Sequence, residues 1–300
     1  MTAIAAAGWY RWVFALGFST ACLASLTVSA ESSVWAVRLN GDAVYLGGTV
    51  HLLRPGDYPL PAEFELAYEQ ADQIYFEVDI NSMNELSTQA QVLQALTYND
   101  ERTLESVLND KAYQALANYT ARVGLPLMMM QKLKPGMIVT TLQLLEFQRM
   151  GFTPQGVDTY FSTRAIDDAK SLGALETITE QIGYLAAMGE GYESEFILMS
   201  LADLADMEVA LDAMITAWRL GDMASLEQQF VQDMRQQAPE IYESLLRQRN
   251  WRWLPEIEAM FGDSETEFVL VGAAHLVGDD GLIKLLRERG YEVAQLQGLH

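Results

Sequence analysis

Short apolar runs of two-residue periodicity stand at both ends of this chain, and spacings of three and four fill the stretch between them. "VWAVRL" (Val34 to Leu39) and "DAVYLGG" (Asp42 to Gly48) flank Asn40-Gly41, a pair suited to the positive φ of a type I′ turn, so they predict a β-hairpin. "PAEFELAYEQA" from Pro61 predicts a helix with proline in its first turn. "QIYFEVDI" (Gln73 to Ile80) predicts a buried strand carrying Glu77 and Asp79 on one face. Strand, helix, strand in that order implies a right-handed parallel crossover. The tail repeats it with "TEFVLVG", the helix "DGLIKLLRERG" and the strand "YEVAQL". From about 84 to 260 the helical period dominates: Ile197, Leu201, Leu204, Leu211, Ile215 and Trp218 form one seam that Gly221 ends, and Thr177 with Glu180 and Ser225 with Gln228 read as capping boxes. Pro126, Pro135 and Pro154 divide the start of this stretch, and Met128, Met129 and Met130 are expected to pack in its core. The pattern predicts an α/β fold: a mixed central sheet formed by N- and C-terminal strand–helix–strand segments, with 84–260 as a large, mainly helical insertion over its active edge, all within one domain of residues 31–300.

Histidine sharpens this picture, because the chain has only three. His51 follows a strand in "GGTVHLL" and His275 follows one in "VGAAHLV", both as Gly-x-x-His. Both imidazoles are therefore expected at the carboxyl edge of one sheet, where open α/β sheets place ligands. The plain alternative is that each merely caps its strand. Glu77, on a strand of apolar neighbours, needs a partner because a buried carboxylate is costly. Arg249 would satisfy it as an ion pair; a metal shared with His51 and His275 would satisfy it functionally. Arg249 lies on the apolar stripe of Leu245, Trp253 and Ile257, so it too must be paired, in a salt bridge or facing a pocket. His300, the terminal residue, is expected to take no part.

Composition narrows the classes. Half the residues are hydrophobic, enough for a core of this size, which argues against disorder. Forty-one acidic against 19 basic residues give a charge of −22, which disfavours nucleic acid or an anionic membrane as partner. Arg11, the apolar run behind it, and Val28 and Ala30 at the −3 and −1 positions read as a signal peptide (1–30) cleaved after Ala30, for a periplasmic or secreted protein without stable membrane insertion. The only cysteine, Cys22, falls inside that segment, so the mature chain has no thiol for disulfides, thiolate catalysis or cysteine-ligated zinc. Nucleophile-elbow, His-Glu-x-x-His, P-loop and dinucleotide fingerprints are absent.

"GGTVHLL", "YFEVD", "GVD" (Gly156 to Asp158), "LETITEQ", "RNWRW" (Arg249 to Trp253) and "VGAAHLVGDDGLIKLLRERGY" together resemble the TraB/PrgY/GumN family, which includes the animal Tiki proteins, and most of all its exported bacterial GumN-like branch. The resemblance runs through the whole mature chain. It implies a divergent hydrolase fold with both Gly-x-x-His motifs and the strand glutamate at the active centre, and in the Tiki branch a divalent-metal-dependent protease. Carried over, His51, Glu77 and His275 would be the catalytic and metal residues, holding Mn, Co or Zn, with Arg249 as a further catalytic residue in the pocket that stabilises the oxyanion. Asn250, Glu176 and Asp158 would support or bind substrate, a peptide or other extracytoplasmic molecule. Two further readings stay open: a metal-free esterase-like hydrolase with a histidine base held by Glu77, and a peptide- or polysaccharide-binding protein without turnover.

Overall fold

In a computed structural model, which describes residues 31–298, the hairpin forms as the pattern requires. β1 (Glu31–Leu39) and β2 (Asp42–Thr49) pair antiparallel around Asn40 and Gly41, both at positive φ. β3 (Gln73–Phe76), β4 (Ser171–Ala174), β5 (Glu267–Gly272) and β6 (Glu292–Gln297) complete one mixed sheet in the order β4-β3-β5-β2-β1-β6. β2, β5, β3 and β4 run parallel to one another, while β1 is antiparallel to both β2 and β6. β2 feeds helix Ala62–Gln70 and returns as β3 beyond β5; β5 feeds helix Leu282–Glu288 and returns as β6 on the other side. Neighbouring strands β2 and β5 thus send their chains in opposite directions, which opens a crevice at their carboxyl ends.

Two departures from the sequence pattern bear on the site. The third strand is shorter than expected: it ends at Phe76, so Glu77 sits just past it and Asp79 is exposed, its carboxylate accepting from the Asn81 amide. The insertion also supplies a strand, β4, which pairs with β3 in register (Phe76 opposite Ala174) and delivers Glu176 beside Glu77. Four exposed or half-exposed residues, "SLGA", carry little hydrophobic signal for an edge strand.

The helical middle has a core of its own, built on Leu104, Leu116, Ile138, Leu142, Phe196 and Ile197, while the sheet residues gather in a larger one. Helix Glu193–Leu220 ties the two together and ends at Gly221 in the left-handed region, as its seam predicts. Its Trp218 indole donates to the Gly48 carbonyl at 2.6 Å, clamping the insertion onto the first Gly-x-x-His turn. The Thr177 capping box forms. The one expected at Ser225 does not: Asp222 is the cap, and its carboxylate accepts from the Ser225 amide. Of the three methionines only Met130 is in the core; Met128 and Met129 are 86% and 82% exposed, because the short turn they occupy shows only one side to the protein. Among the described residues no helix is long and apolar enough to cross a membrane. The expected signal peptide, Cys22 and His300 lie outside the described residues.

Candidate active site

Three parallel strands end together, and each releases one functional side chain. His51 leaves β2, Glu77 leaves β3 and His275 leaves β5 through a short 3-10 turn, Ala273–His275. They meet around Gly272: a methyl group there would lie 3.2 Å from Glu77 Oε1, 3.6 Å from His275 Cδ2 and 3.8 Å from His51 Nε2. The glycine is needed at this point because any side chain would fill the space the three groups share. Its own amide donates to Glu77 Oε1 at 2.7 Å, and Oε1 is 3.8 Å from His275 Nε2.

Each imidazole is held from behind. His51 Nδ1–H donates to Asp158 Oδ2 at 2.8 Å, and the ring is 64% exposed to the open space in front. Asp158 comes from the first turn of helix Val157–Asp167, whose N-cap Gly156 packs directly on the His51 carbonyl. The neighbouring Asp158 carboxylate raises His51 to about 9. His275 Nδ1–H donates to Asn250 Oδ1 at 2.7 Å, and the Asn250 amide nitrogen donates in turn to the carbonyls of His275 and Asp280, which fixes its orientation. Burial lowers His275 to about 3, so it is neutral, with Nε2 as its acceptor. Both rings thus present Nδ1 to an acceptor: Asn250 fixes the tautomer of the neutral His275, and Asp158 holds the protonated His51, whose Nε2 faces Gly272.

Arg249 answers the question of what satisfies Glu77. It is buried, and its five N–H donors all have partners: Nε and Nη2 to Glu176 (3.1 and 2.7 Å), Nη2 also to Glu77 (2.5 Å), and Nη1 to the Leu245 carbonyl and to His275 Nε2 (3.2 and 3.0 Å). Its guanidinium also stacks on Trp253, 4.5 Å from the ring centroid. Burial would raise the Glu77 carboxyl, but Arg249, the two histidines and the Gly272 amide hold it down at about 2. Burial outweighs Arg249 at Glu176, whose carboxyl is raised. The helix Gln248–Ala259 that carries Arg249 and Asn250 follows a π-helical turn, Glu243–Arg247, a feature that re-aims side chains without breaking a helix.

Sequence reasoning named seven residues here, and all seven lie in this cluster. Their arrangement differs from expectation in two respects. Asp158 holds His51 through Nδ1, a contact the sequence did not point to, while Glu77 holds neither histidine directly and faces Arg249, one of the two partners the sequence allows for it. Arg249 combines its two anticipated roles, since it pairs with two buried carboxylates and also lines a cavity. Gln181 was missed: its side-chain amide donates to Glu77 Oε2 at 3.2 Å, and a glutamine on a helix gives no sequence signal for that.

Two cavities meet at this centre. One of about 360 Å³ has His51, Glu77, Arg249 and His275 at its floor and walls from Phe147, Phe152, Leu211, Met214, Met234 and Leu245. The other, of about 240 Å³, also reaches His51 and Glu77 and is bounded by Ile80, Met83, Asp158, Thr159 and Gln181.

The chain's sequence is matched over residues 33–295 by the family model described as the TraB/PrgY/gumN family. No curated protein and no solved structure matches it.

Proposed function

The chain belongs to the TraB/PrgY/gumN family, and on that premise we propose that it is an exported hydrolase of the GumN-like, Tiki-related kind, a peptidase whose centre is His51, Glu77 and His275. The observation that carries this reading is the convergence on Gly272: two imidazoles with Nδ1 tethered and Nε2 turned inward, beside an ionised carboxylate, at the floor of a cavity.

By residue type the donor set suits a divalent ion, but among the described residues no three His, Cys, Asp or Glu side chains are gathered closely enough to hold one, and Arg249 Nη1 takes up His275 Nε2 at 3.0 Å. Imidazole nitrogens fixed through their far sides, with a carboxylate, are what Mn²⁺, Co²⁺ or Zn²⁺ takes. His51 Nε2, His275 Nε2 and Glu77 would hold the ion, with Arg249 giving up its contact to His275. Such an ion would supply a bound water acidified towards neutral pH. The chain's own residues do the rest. Asp158 and Asn250 orient the two imidazoles through Nδ1, Arg249 keeps Glu77 ionised, and the bare Gly272 lets a substrate carbonyl approach the floor. The apolar walls exclude bulk water, which strengthens every charge interaction inside. Arg249 is a positioning residue in this structure, where all its donors are spent within the protein; once its contact to His275 is given up to an ion, one Nη1–H becomes free for a substrate oxygen.

One observation favours a metal-free variant of the same reading. Arg249 Nη1–H already occupies the His275 lone pair, and Asp158 keeps His51 protonated at neutral pH, as a general acid for the leaving group requires. Turnover of a quenched-fluorescence peptide library by the secreted protein tests hydrolysis in either form. Cleavage abolished in His51→Ala supports it; a wild-type protein that binds peptides and never cleaves them refutes it in favour of a sequestering role. Mass spectrometry of the mature chain tests export: the proposal requires Glu31 as first residue, and an intact Met1 contradicts it.

A further inference from the structure

The two cavities differ in character, and only the reacting pair belongs to both. The larger chamber carries its ionisable groups solely at the floor, in the site itself; above them Phe147, Phe152, Leu211, Met214, Met234 and Leu245 offer nothing to a charged or strongly polar group. About 360 Å³ is at the small end of ligand pockets, room for a bulky side chain or two rather than a folded domain. An α-amino or α-carboxylate terminus placed there would lose its hydration without a partner, at a cost of several kcal/mol. The smaller chamber shares His51 and Glu77 with the larger but none of its other walls, and its lining includes Met83, which is 39% exposed.

From these observations we infer that the site takes an internal stretch of peptide across His51 and Glu77, with a bulky uncharged apolar residue in the larger chamber and the chain continuing through the smaller one. The inference rests on the peptidase reading for the substrate class and the bond cleaved, and on the cavities for the apolar selectivity and the path of the chain. It makes the protein an endopeptidase selective for large apolar residues. It also divides the labour in the sequence: the sheet termini carry the chemistry, and the insertion carries the selectivity, because Phe147, Leu211, Met214, Met234 and Leu245 all come from its helices.

The test uses the full mature protein and capped, dansyl-labelled peptides with Leu, Phe, Ala, Asp or Lys at one central position, read both for binding by anisotropy and for cleavage. Peptides with Leu or Phe should bind at least tenfold more tightly than those with Asp or Lys, and peptides extended by three residues on the far side of that position should bind at least tenfold more tightly than peptides ending there. Leu211→Trp narrows the chamber and should move the preference to Ala; Met214→Trp, on the same wall and only partly buried, does so if Leu211→Trp fails to fold. Apolar selectivity in binding without any cleavage would support the chamber assignment and defeat the hydrolytic reading. Cleavage with no apolar preference, or a preference unmoved in a folded wall variant, overturns the chamber assignment while hydrolysis stands. Preference for a free terminus over the extended peptide overturns the two-chamber path, and neither binding nor cleavage overturns both.

Discussion

At the scale of single residues the account turns on Arg249. All its donors are spent within the protein, on Glu77, Glu176, His275 and the Leu245 carbonyl. Lysine keeps the charge but has three donors on a compact head and no planar fork. Arg249→Lys should therefore leave buried carboxylate oxygens without partners and destabilise the fold on the order of 3 kcal/mol, measured by urea unfolding, with activity falling as well. Unchanged stability with only kcat/KM reduced would mean that the guanidinium is free to meet substrate. Much of this was legible in the sequence: an arginine on an apolar helical stripe and a glutamate among apolar residues each demand a partner. That Arg249 could answer Glu77 is among the readings the sequence offers; that Glu176 makes the pair a triad was not legible, because the three residues come from separate elements and meet only when β3 and β4 align.

The elements explain why the imidazoles point as they do. Helix Val157–Asp167 starts against the first Gly-x-x-His turn so closely that a methyl group on Gly156 would stand 2.2 Å from the His51 carbonyl carbon and oxygen. Gly156→Ala should push this helix start away, stretch the His51–Asp158 contact and cost about 1–3 kcal/mol. Nuclear magnetic resonance titration of the chelator-treated, metal-free variant would then find His51 lowered from about 9 towards its ordinary value; a titration curve equal to that of metal-free wild type would show that the packing is looser than described. The hairpin, the two crossovers and the long helix follow from period and turn residues, which are local signals. β4 and the true end of β3 do not, because a four-residue edge strand is defined by its neighbour rather than by its own hydrophobicity. The Asp158 contact likewise spans 107 positions of sequence, and "GVD" alone says nothing of its distance to His51.

For the molecule as a whole, a large acidic excess leaves one carboxylate in an unfavourable place. Glu267 begins β5 at the sheet edge remote from the site, is buried, and has Oε2 without a partner. Burial first, then Asp263, Asp42 and Glu265, raise it to about 7 from an ordinary 4.5. A folded-state value above the unfolded one favours folding most below the lower of the two, and this contribution is lost as pH rises from about 4.5 through about 7. Glu267→Gln should therefore stabilise the protein on the order of 1–3 kcal/mol at pH 8, have little effect at pH 4.5, and flatten that part of the stability curve; equal effects at both pH values would show Glu267 to be solvated. The central claim is that chain ends 224 positions apart in sequence (275 − 51) build one metal-holding hydrolytic centre on a shared sheet edge. Elemental analysis of the mature protein purified without chelator, beside His51→Ala and His275→Ala, tests it most directly. The account predicts about one divalent ion per chain in the wild type and loss from both variants; a wild type free of metal even after reconstitution with Mn²⁺, Co²⁺ or Zn²⁺, or an ion retained in either folded variant, would contradict it.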